Sequence, residues 1–308
     1  MTALALQALI LTIITASTPL LLAAIGELVV ERSGVLNLGV EGMMVMGAVA
    51  GFGAALTTGS PLIEHRRRCR GGALLSVLFA VLTLSLVANQ VATGLALTLL
   101  GLGLSGLAGE RFVGQPGVRL PKLDIPGLTD LPFVGPILFG QDLLVYVSFA
   151  LVLAVGHVLF RTRLGLIIRA VGDNHGSAHA LGYRVIAVRY GCVMFGGACA
   201  GLSGGYLSLA YTPQWVENMT AGRGWIALAL VVFSSWLPGR VVAGAYLFGA
   251  VTILGFYVQG VGIGIPAQFL SALPYLVTIG ALVVISRNRL VMRANTPACL
   301  GQPFVPDR

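Results

Sequence analysis

Charged side chains are scarce in this chain. Asp, Glu, Lys and Arg make up 10% of the 308 residues, whereas a soluble globular domain carries about 25%. Hydrophobic residues account for 56%, and the mean hydropathy is +0.91. This composition excludes an ordinary soluble domain and predicts a single membrane-embedded domain over residues 1–308.

Residue patterns for metal and nucleotide chemistry are also missing. The four cysteines form no C-x-x-C pair, and the zinc-hydrolase spacing H-E-x-x-H does not occur. The only lysine, Lys122, lies in a Pro-Lys-Leu sequence, which excludes a phosphate-binding G-x-x-x-x-G-K-[ST] loop. We therefore expect no metal and no cofactor in this chain, and no ATP bound through a loop of this kind.

Two glycine motifs imitate enzyme signatures. Residues 101–106 match G-x-G-x-x-G, but they lie in an apolar run and not between a strand and a helix, so we interpret them as helix-packing glycines. Residues 201–205 match G-x-S-x-G, which raises the alternative of a rhomboid-type intramembrane protease. A nucleophilic serine needs a general base, and no histidine follows Ser203. The sequence therefore argues against an intramembrane enzyme.

Apolar runs that can cross a bilayer recur along the whole chain. About 20 residues are needed to span the hydrocarbon layer as a helix. The sequence predicts an all-α polytopic membrane protein with about nine transmembrane helices, within a range of eight to ten. The predicted spans are residues 4–27, 35–57, 71–88, 91–108, 142–160, 190–211, 224–237, 241–257 and 268–286.

The net charge of +8 comes from arginines concentrated between apolar runs. Such a distribution is typical of cytoplasmic segments of membrane proteins, and it argues against a nucleic-acid partner. Residues 161–189 contain five arginines and one acid, so we expect a cytoplasmic loop there and a cytoplasmic C-terminus. Residues 109–141 are proline-rich and carry both signs of charge, which predicts an ordered extracytoplasmic loop. Because no basic residue precedes the first apolar run, we expect a retained helix.

The most informative polar residues lie in residues 31–47. Asn37 and Glu41 occur in an apolar run, where polar groups are costly and usually face a pathway or a protein partner. Broken helices near the membrane midplane are how transporters build solute sites. The alternative is structural, with both side chains binding backbone amides that the break sets free. The glycines expected to interrupt the helix are Gly34, Gly39 and Gly42.

The arginine-rich loop contains a short helix signal. Asp173 or Asn174 can cap the start of a helix, and Gly182 can end it. A short helix between two membrane spans is suited to docking on a soluble partner. The alternative is an ordinary solvent-exposed loop helix.

Together these residues resemble the permease subunit of a bacterial ABC importer. The family is the one shared by ribose-type sugar and branched-chain amino acid permeases, and the closest resemblance is to permeases of basic-membrane-protein-type nucleoside importers. The resemblance extends over nearly the whole chain. The stretches that carry it are residues 31–47, 84–94, 169–182 and 206–230.

The resemblance implies a multi-pass protein of the bacterial plasma membrane with several partners. These are a separate ABC ATPase that binds ATP and Mg, a second permease that we expect to be a non-identical paralogue, and an extracytoplasmic solute-binding protein. The short helix then corresponds to the coupling helix that docks on the ATPase. Its expected coupling residues are Gly172, Asp173, Asn174, Ala178 and Gly182.

The resemblance also implies that broken helices line a central translocation pathway for nucleosides, with simple sugars as the alternative. A stand-alone transporter or channel is a further alternative, which the docking helix disfavours. We expect polar contacts along the pathway from Asn37, Glu41, Asn89, Gln90 and Thr93. At the outer mouth we expect Trp215, Glu217, Asn218 and Arg223, although Trp215 is equally consistent with an interfacial anchor.

One segment departs from this pattern. Residues 65–70 form a basic patch where the family is usually apolar, and the helix count places the patch outside, against the charge rule. A local sequence anomaly, a genuine insertion and an N-terminal count that is off by one helix all remain open. His175 also stands where the family often has proline.

Overall fold

Helices dominate the chain. A computed structural model describes residues 3–58, 61–117, 120–123, 126–261, 266–286 and 295–306. Within these ranges the extended pairing is limited to two isolated β-bridges. The helices are α1 (Ala3–Arg32), α2 (Val40–Thr58), α3 (Pro61–Ala80), α4 (Gln90–Gly109), α5 (Val134–Phe139), α6 (Leu143–Arg161), α7 (Arg163–Asp173), α8 (His175–Ala180), α9 (Val185–Tyr206), α10 (Arg223–Phe233), α11 (Pro238–Val261) and α12 (Ala267–Ser286).

Six helices of the described part are long and apolar enough to cross a membrane. They are α1, α2, α4, α6, α9 and α11, and each coincides with a predicted span. The other three predicted spans coincide with shorter apolar helices at Gly71–Ser85, Arg223–Phe233 and Gln268–Gly280. The chain is therefore a multi-pass α-helical membrane protein.

Small residues bring the central helices together. Helix α9 packs against α1, α2 and α3. A Cβ atom on Gly47 would collide with the backbone of Gly201, and one on Gly197 would collide with Ser76. Ser203 is fully buried, and its hydroxyl donates to the carbonyl of Pro19 at 2.6 Å. The G-x-S-x-G motif thus lies in a helix-packing surface.

The predicted helix interruption is present at residues 33–39, which include Gly34 and Gly39. The third glycine predicted to break the helix, Gly42, lies inside α2, so the second span begins at Val40 and not at residue 35. Gly34 has a φ of +86°, which suits the end of α1. A Cβ on Gly42 would lie 2.6 Å from the carbonyl oxygen of Leu97, so this glycine allows close approach to α4.

A second interruption separates α9 from α10. Helix α9 continues as a π-helical turn at Leu207–Tyr211, and residues 212–222 are non-helical before α10 begins. Helix α10 has 11 residues and so is about 16 Å long, close to half of the ~30 Å hydrocarbon layer. It packs against α1 and α2. The chain therefore contains a half-length helix among longer ones.

The two predicted loops are structured. Residues 109–141 include α5 and pair with the rest of the chain through the bridges Val113–Trp215 and Lys122–Asp142. Residues 161–189 contain the expected short helix, α8, and also α7, which the sequence analysis did not predict.

The backbone of the basic patch, residues 65–70, is helical and belongs to α3. This helix begins at residue 61 and not at the predicted residue 71. The side chains of residues 61–70 lie outside the described part of the chain. Residues 287–294 also lie outside the described part, and the cytoplasmic C-terminus stays a prediction.

Candidate functional site

Side chains bind the backbone groups that the break at residues 33–39 sets free. The amide of Gly39 donates to Oδ1 of Asn37 at 3.0 Å, and the amide of Asn37 donates to Oε1 of Glu27 at 3.3 Å. Both Asn37 and Glu27 are buried. Unpaired backbone groups are costly away from water, so this arrangement stabilises the non-helical conformation.

Helix α4 supplies two further partners of the break. The amide of Leu36 donates to Oε1 of Gln90 at 2.8 Å, and the hydroxyl of Thr98 donates to the carbonyl of Leu38 at 3.0 Å. Nε2 of Gln90 is buried and has no hydrogen-bond partner within the described residues. Together, Glu27, Asn37, Gln90 and Thr98 form a polar cage around the break.

Glu41 anchors the start of α10. Its Oε1 accepts from the amide of Gly222 at 2.7 Å, and its Oε2 accepts from the amide of Gly224 at 2.6 Å. The side chain is only 3% exposed. A carboxylate at a helix N-terminus satisfies free amides and complements the helix dipole. Glu41 thus binds backbone amides, although not those near Gly39 and Gly42 that the structural alternative named.

The opposite end of α10 is held by the end of α1. Nε1 of Trp236 donates to Oε2 of Glu31 at 2.6 Å, and Nη2 of Arg32 donates to the carbonyl of Trp236 at 3.0 Å. Trp236 has a φ of +54°, a strained conformation that these contacts stabilise. Glu31 and Arg32 were not predicted as anchoring residues, although their charge in an apolar run was a usable signal.

The predicted pathway residues therefore fall into two groups. Asn37, Glu41 and Gln90 are buried and bind backbone. Asn89 is exposed and caps α4 by accepting from the amide of Ala92 at 3.0 Å, and Thr93 is partly exposed. Of these five residues, only Asn89 and Thr93 reach the surface of the bundle.

A polar pocket opens beside the start of α10. It has a volume of about 420 Å³ and lies between α1, α10, α11 and α12. Pockets of this size, with aromatic walls and a few polar groups, are typical of small-molecule sites. Most of its wall is apolar, and we call it the polar pocket for the side chains of Tyr211, Arg223, Thr252, Gln259 and Tyr275.

Arg223 was predicted at the outer mouth, and the structure places it in the wall of the polar pocket. Its guanidinium carbon lies 5.2 Å from the ring centroid of Tyr211, and its Nη1 donates to the carbonyl of Met219 at 3.0 Å. The other four pocket residues were missed. Their only signal was weak, because Thr252 and Gln259 are single polar residues within an apolar run.

The other predicted mouth residues differ in exposure. Trp215 is 2% exposed and packs in a cluster with Val45, Val49 and Phe52, so it is a core residue and not an interfacial anchor. Glu217 and Asn218 are exposed.

The predicted coupling residues lie together around α8. Asn174 is the N-cap, because its Oδ1 accepts from the amide of Ser177 at 2.9 Å, and Gly182 ends the segment with a φ of +87°. Ala178 is buried beneath the helix, and Gly172 is buried at the end of α7. Asp173 is exposed. The predicted cap, helix and stop are confirmed.

His175, on α8, is the titratable group of this region with a shifted pKa. Burial lowers its pKa below the usual 6.5, and the nearby Arg189 lowers it further. Arg189 Nη2 lies 3.2 Å from His175 Nδ1 and can only donate, so Nδ1 accepts. Within the described residues, no group of three or more His, Cys, Asp or Glu side chains is placed to hold a metal ion.

Sequence comparison with known proteins finds related membrane permease components. The family described as branched-chain amino acid transport system / permease component matches residues 9–282. The "Putative glucose ABC transporter permease protein TsgC13" of Haloferax volcanii is 38% identical over 94% of this chain and 95% of its own length. The guanosine ABC transporter permease protein NupQ of Bacillus subtilis is 33% identical over 97% of this chain and 98% of its own length.

A third relative is the nucleoside ABC transporter permease protein NupC of Lactococcus lactis, 31% identical over 94% of this chain and 96% of its own length. No solved structure matches the chain. The family match covers most of the sequence, and all three relatives align over nearly their full lengths. This chain therefore belongs to the family of branched-chain amino acid transport system permease components.

Proposed function

We propose that this chain is the membrane-spanning permease subunit of an ATP-driven ABC importer that carries nucleosides. The observation that carries this proposal is the polar pocket at the start of the half-length helix α10. Half-helices that end inside the membrane are a recurring way to build a transport site. Relatives named for guanosine and nucleoside transport support the choice of solute.

The pocket offers suitable contacts for a nucleoside. Tyr211 and Tyr275 provide aromatic faces for a base, while Arg223 and Gln259 provide donors for ribose hydroxyls or the base edge. The hydroxyl of Thr252 donates to the carbonyl of Phe248 at 2.9 Å and so offers the solute an acceptor. These contacts are few and dispersed, which suits a pathway, because tight binding would slow release. Asn89 and Thr93 extend the proposed pathway, whereas Asn37, Glu41 and Gln90 position the helices around it.

Simple sugars are the second candidate. The relative with 38% identity is named for glucose, and aromatic faces beside hydrogen-bonding groups also suit a hexose. The two candidates differ in what the aromatic side chains contact, a nucleobase in one and the apolar face of a sugar ring in the other.

The proposed assembly contains a separate ABC ATPase that binds ATP and Mg, a second and non-identical permease, and an extracytoplasmic solute-binding protein. Six long helices and three shorter ones support about nine crossings of the bacterial plasma membrane. We place the C-terminus and residues 161–189 on the cytoplasmic side and residues 109–141 outside. Gly172, Asp173, Asn174, Ala178 and Gly182 then belong to the ATPase coupling site, and the exposed Glu217 and Asn218 face the binding protein.

In the proposed mechanism, ATP binding closes the ATPase and displaces α8. Because both ends of α10 are held by residues of α1 and α2 that flank the break at residues 33–39, movement of these helices shifts α10 and the pocket beside it. The pocket then opens to alternate sides of the membrane. The chain supplies the pathway and its motion, and the separate ATPase supplies the hydrolysis.

Uptake of radiolabelled guanosine and glucose tests the proposal. Cells express this chain together with its ATPase, partner permease and binding protein, and the control lacks only this chain. We expect guanosine uptake that requires this chain and that excess unlabelled nucleoside blocks. If removing this chain abolishes glucose uptake but not guanosine uptake, the solute is a sugar and not a nucleoside. If removing it changes neither, the permease function is refuted.

A further inference from the structure

The last described segment of the chain, residues 295–306, packs against the coupling region. We call this segment the tail. The ring centroid of Phe304 lies 5.1 Å from that of His175 and 5.4 Å from that of His179. Phe304 also contacts a small hydrophobic cluster that contains Val171 and Ala178. The inner face of α8 is therefore packed against a residue of the tail.

Backbone hydrogen bonds connect the tail to two other segments. The amide of Cys299 donates to the carbonyl of Gly172 at 2.8 Å, and the amide of Gly301 donates to the carbonyl of Gly34 at 3.1 Å. Gly172 lies at the end of α7, and Gly34 lies in the break between α1 and α2. The tail thus joins the end of α7, next to α8, directly to the helix break.

Arg189 connects the same three segments. It is 1% exposed, and its Nε donates to the carbonyl of Ser33 at 3.1 Å in the break. Its Nη1 donates to the carbonyl of Gln302 at 3.2 Å in the tail, and its Nη2 donates to His175 on α8. A buried guanidinium is costly unless its donors are satisfied, so the tail carbonyl is part of what stabilises Arg189.

Arg32 makes a parallel connection. Its Nη1 donates to the carbonyl of Asn295 at 2.9 Å, and its Nη2 donates to the carbonyl of Trp236 beyond α10. One buried arginine therefore connects the tail to the end of α10, and the other connects the tail to α8. The tail lies between the coupling helix and the half-length helix that borders the polar pocket.

The outer side of this region exposes apolar side chains. Leu181 is 76% exposed just after α8, Tyr183 is 41% exposed, and Val305 is 62% exposed next to Phe304. Because Phe304 contacts α8 and Val305 follows it in the chain, the exposed Val305 lies beside α8. Exposed apolar side chains beside a coupling helix are suited to a protein partner.

We infer that the tail acts together with α8 in coupling. It widens the docking surface for the ATPase subunit, and it transmits the motion of α8 to the α1–α2 break and to α10. This inference rests on the proposed function, since it takes the ATPase as the partner. It assigns Val305 to docking. It assigns to Phe304 and Arg189 the positioning of α8 against the tail, and to Arg32 the positioning of the tail against the end of α10.

Two substitutions in the complete reconstituted complex separate these roles. Phe304→Ala removes the packing beneath α8, and we expect the ATPase to co-purify while solute uptake falls at least about fivefold, a size typical of coupling energies. Phe304→Leu retains apolar volume and should recover most of the uptake. Val305→Asp changes an exposed side chain, so folding is preserved, and we expect the ATPase to be lost from the purified complex.

Pro303→Ala is the matched control, because Pro303 is exposed and next to Phe304. Normal co-purification and uptake within twofold for both Phe304→Ala and Val305→Asp would overturn the inference. If Phe304→Ala fails to accumulate in the membrane, the Val305→Asp result alone decides the docking role, and normal ATPase association there would refute it. Wild-type protein without ATP-dependent uptake would instead refute the proposed function.

Discussion

Two polar regions lie within this apolar bundle, and they differ in whether their polar side chains are buried or line open space. In the cage around the break, Asn37, Gln90 and Thr98 bind backbone groups of residues 36–39. In the polar pocket, the Gln259 side chain is exposed and lines open space. Buried polar side chains in this bundle thus stabilise irregular backbone, and the polar side chains that line open space are the proposed solute contacts.

Loss of Glu41 should produce the largest effect on stability. In Glu41→Ala, two amides at the start of α10 lose a carboxylate partner, and charge-assisted hydrogen bonds of this kind contribute about 1.5–3 kcal/mol each. We expect the free energy of unfolding to fall by about 3 kcal/mol, together with loss of uptake. Thermal unfolding of the purified protein measures it, with the exposed Glu217→Ala as control. An unchanged melting temperature would contradict the anchoring role.

Gln259→Leu should affect transport and leave stability intact. Removing an exposed amide from the pocket costs the solute one hydrogen bond, so we expect about a tenfold rise in the KM of uptake with an unchanged melting temperature. Gln115→Leu, on the 109–141 loop, is the control. An unchanged KM would remove Gln259 from the site, and a large loss of stability would reassign it to the scaffold.

Thr98→Val is the counterpart within the cage. The substitution keeps the shape of the side chain and leaves the carbonyl of Leu38 without its donor. We expect a loss of about 1 kcal/mol in unfolding free energy and no change in the KM of uptake. A shift in KM at wild-type stability would show that the cage contacts solute, and the distinction between the two regions would fail.

The smallest expected effect is a pH dependence of the packing of the tail against α8. The folded protein favours neutral His175, because its pKa lies below the usual 6.5. The contact of His175 with Arg189 is therefore fully present above about pH 6.5 and is lost as the pH falls through the lowered pKa. Hydrogen exchange of the tail amides, corrected for intrinsic rates, should show weaker protection at low pH. His175→Gln should abolish this dependence, and a flat profile in the wild type would contradict it.

Local sequence signals predicted some features of the coupling region well. Asn174 caps α8, and Gly182 adopts a positive φ after it, because capping and helix ends depend on neighbouring residues. Helix α7 was missed, since its arginines were interpreted only as a sign of the cytoplasmic side. Its apolar residues Leu164, Ile167, Ile168 and Val171 recur at helical spacing, a local signal that could have predicted the helix.

Sequence alone determined that the chain is a helical membrane protein, because hydropathy and helix length depend on composition along the chain. It also marked Asn37 and Glu41 as unusual, because polar groups in an apolar run need a partner. Only the tertiary structure decided which partners they have. Glu41 binds Gly222 and Gly224, some 180 residues away, and the wall residues of the polar pocket come from α1, α10, α11, α12 and the π-helical turn after α9. Contacts between distant segments are set by how helices pack, and no local pattern in the chain records them.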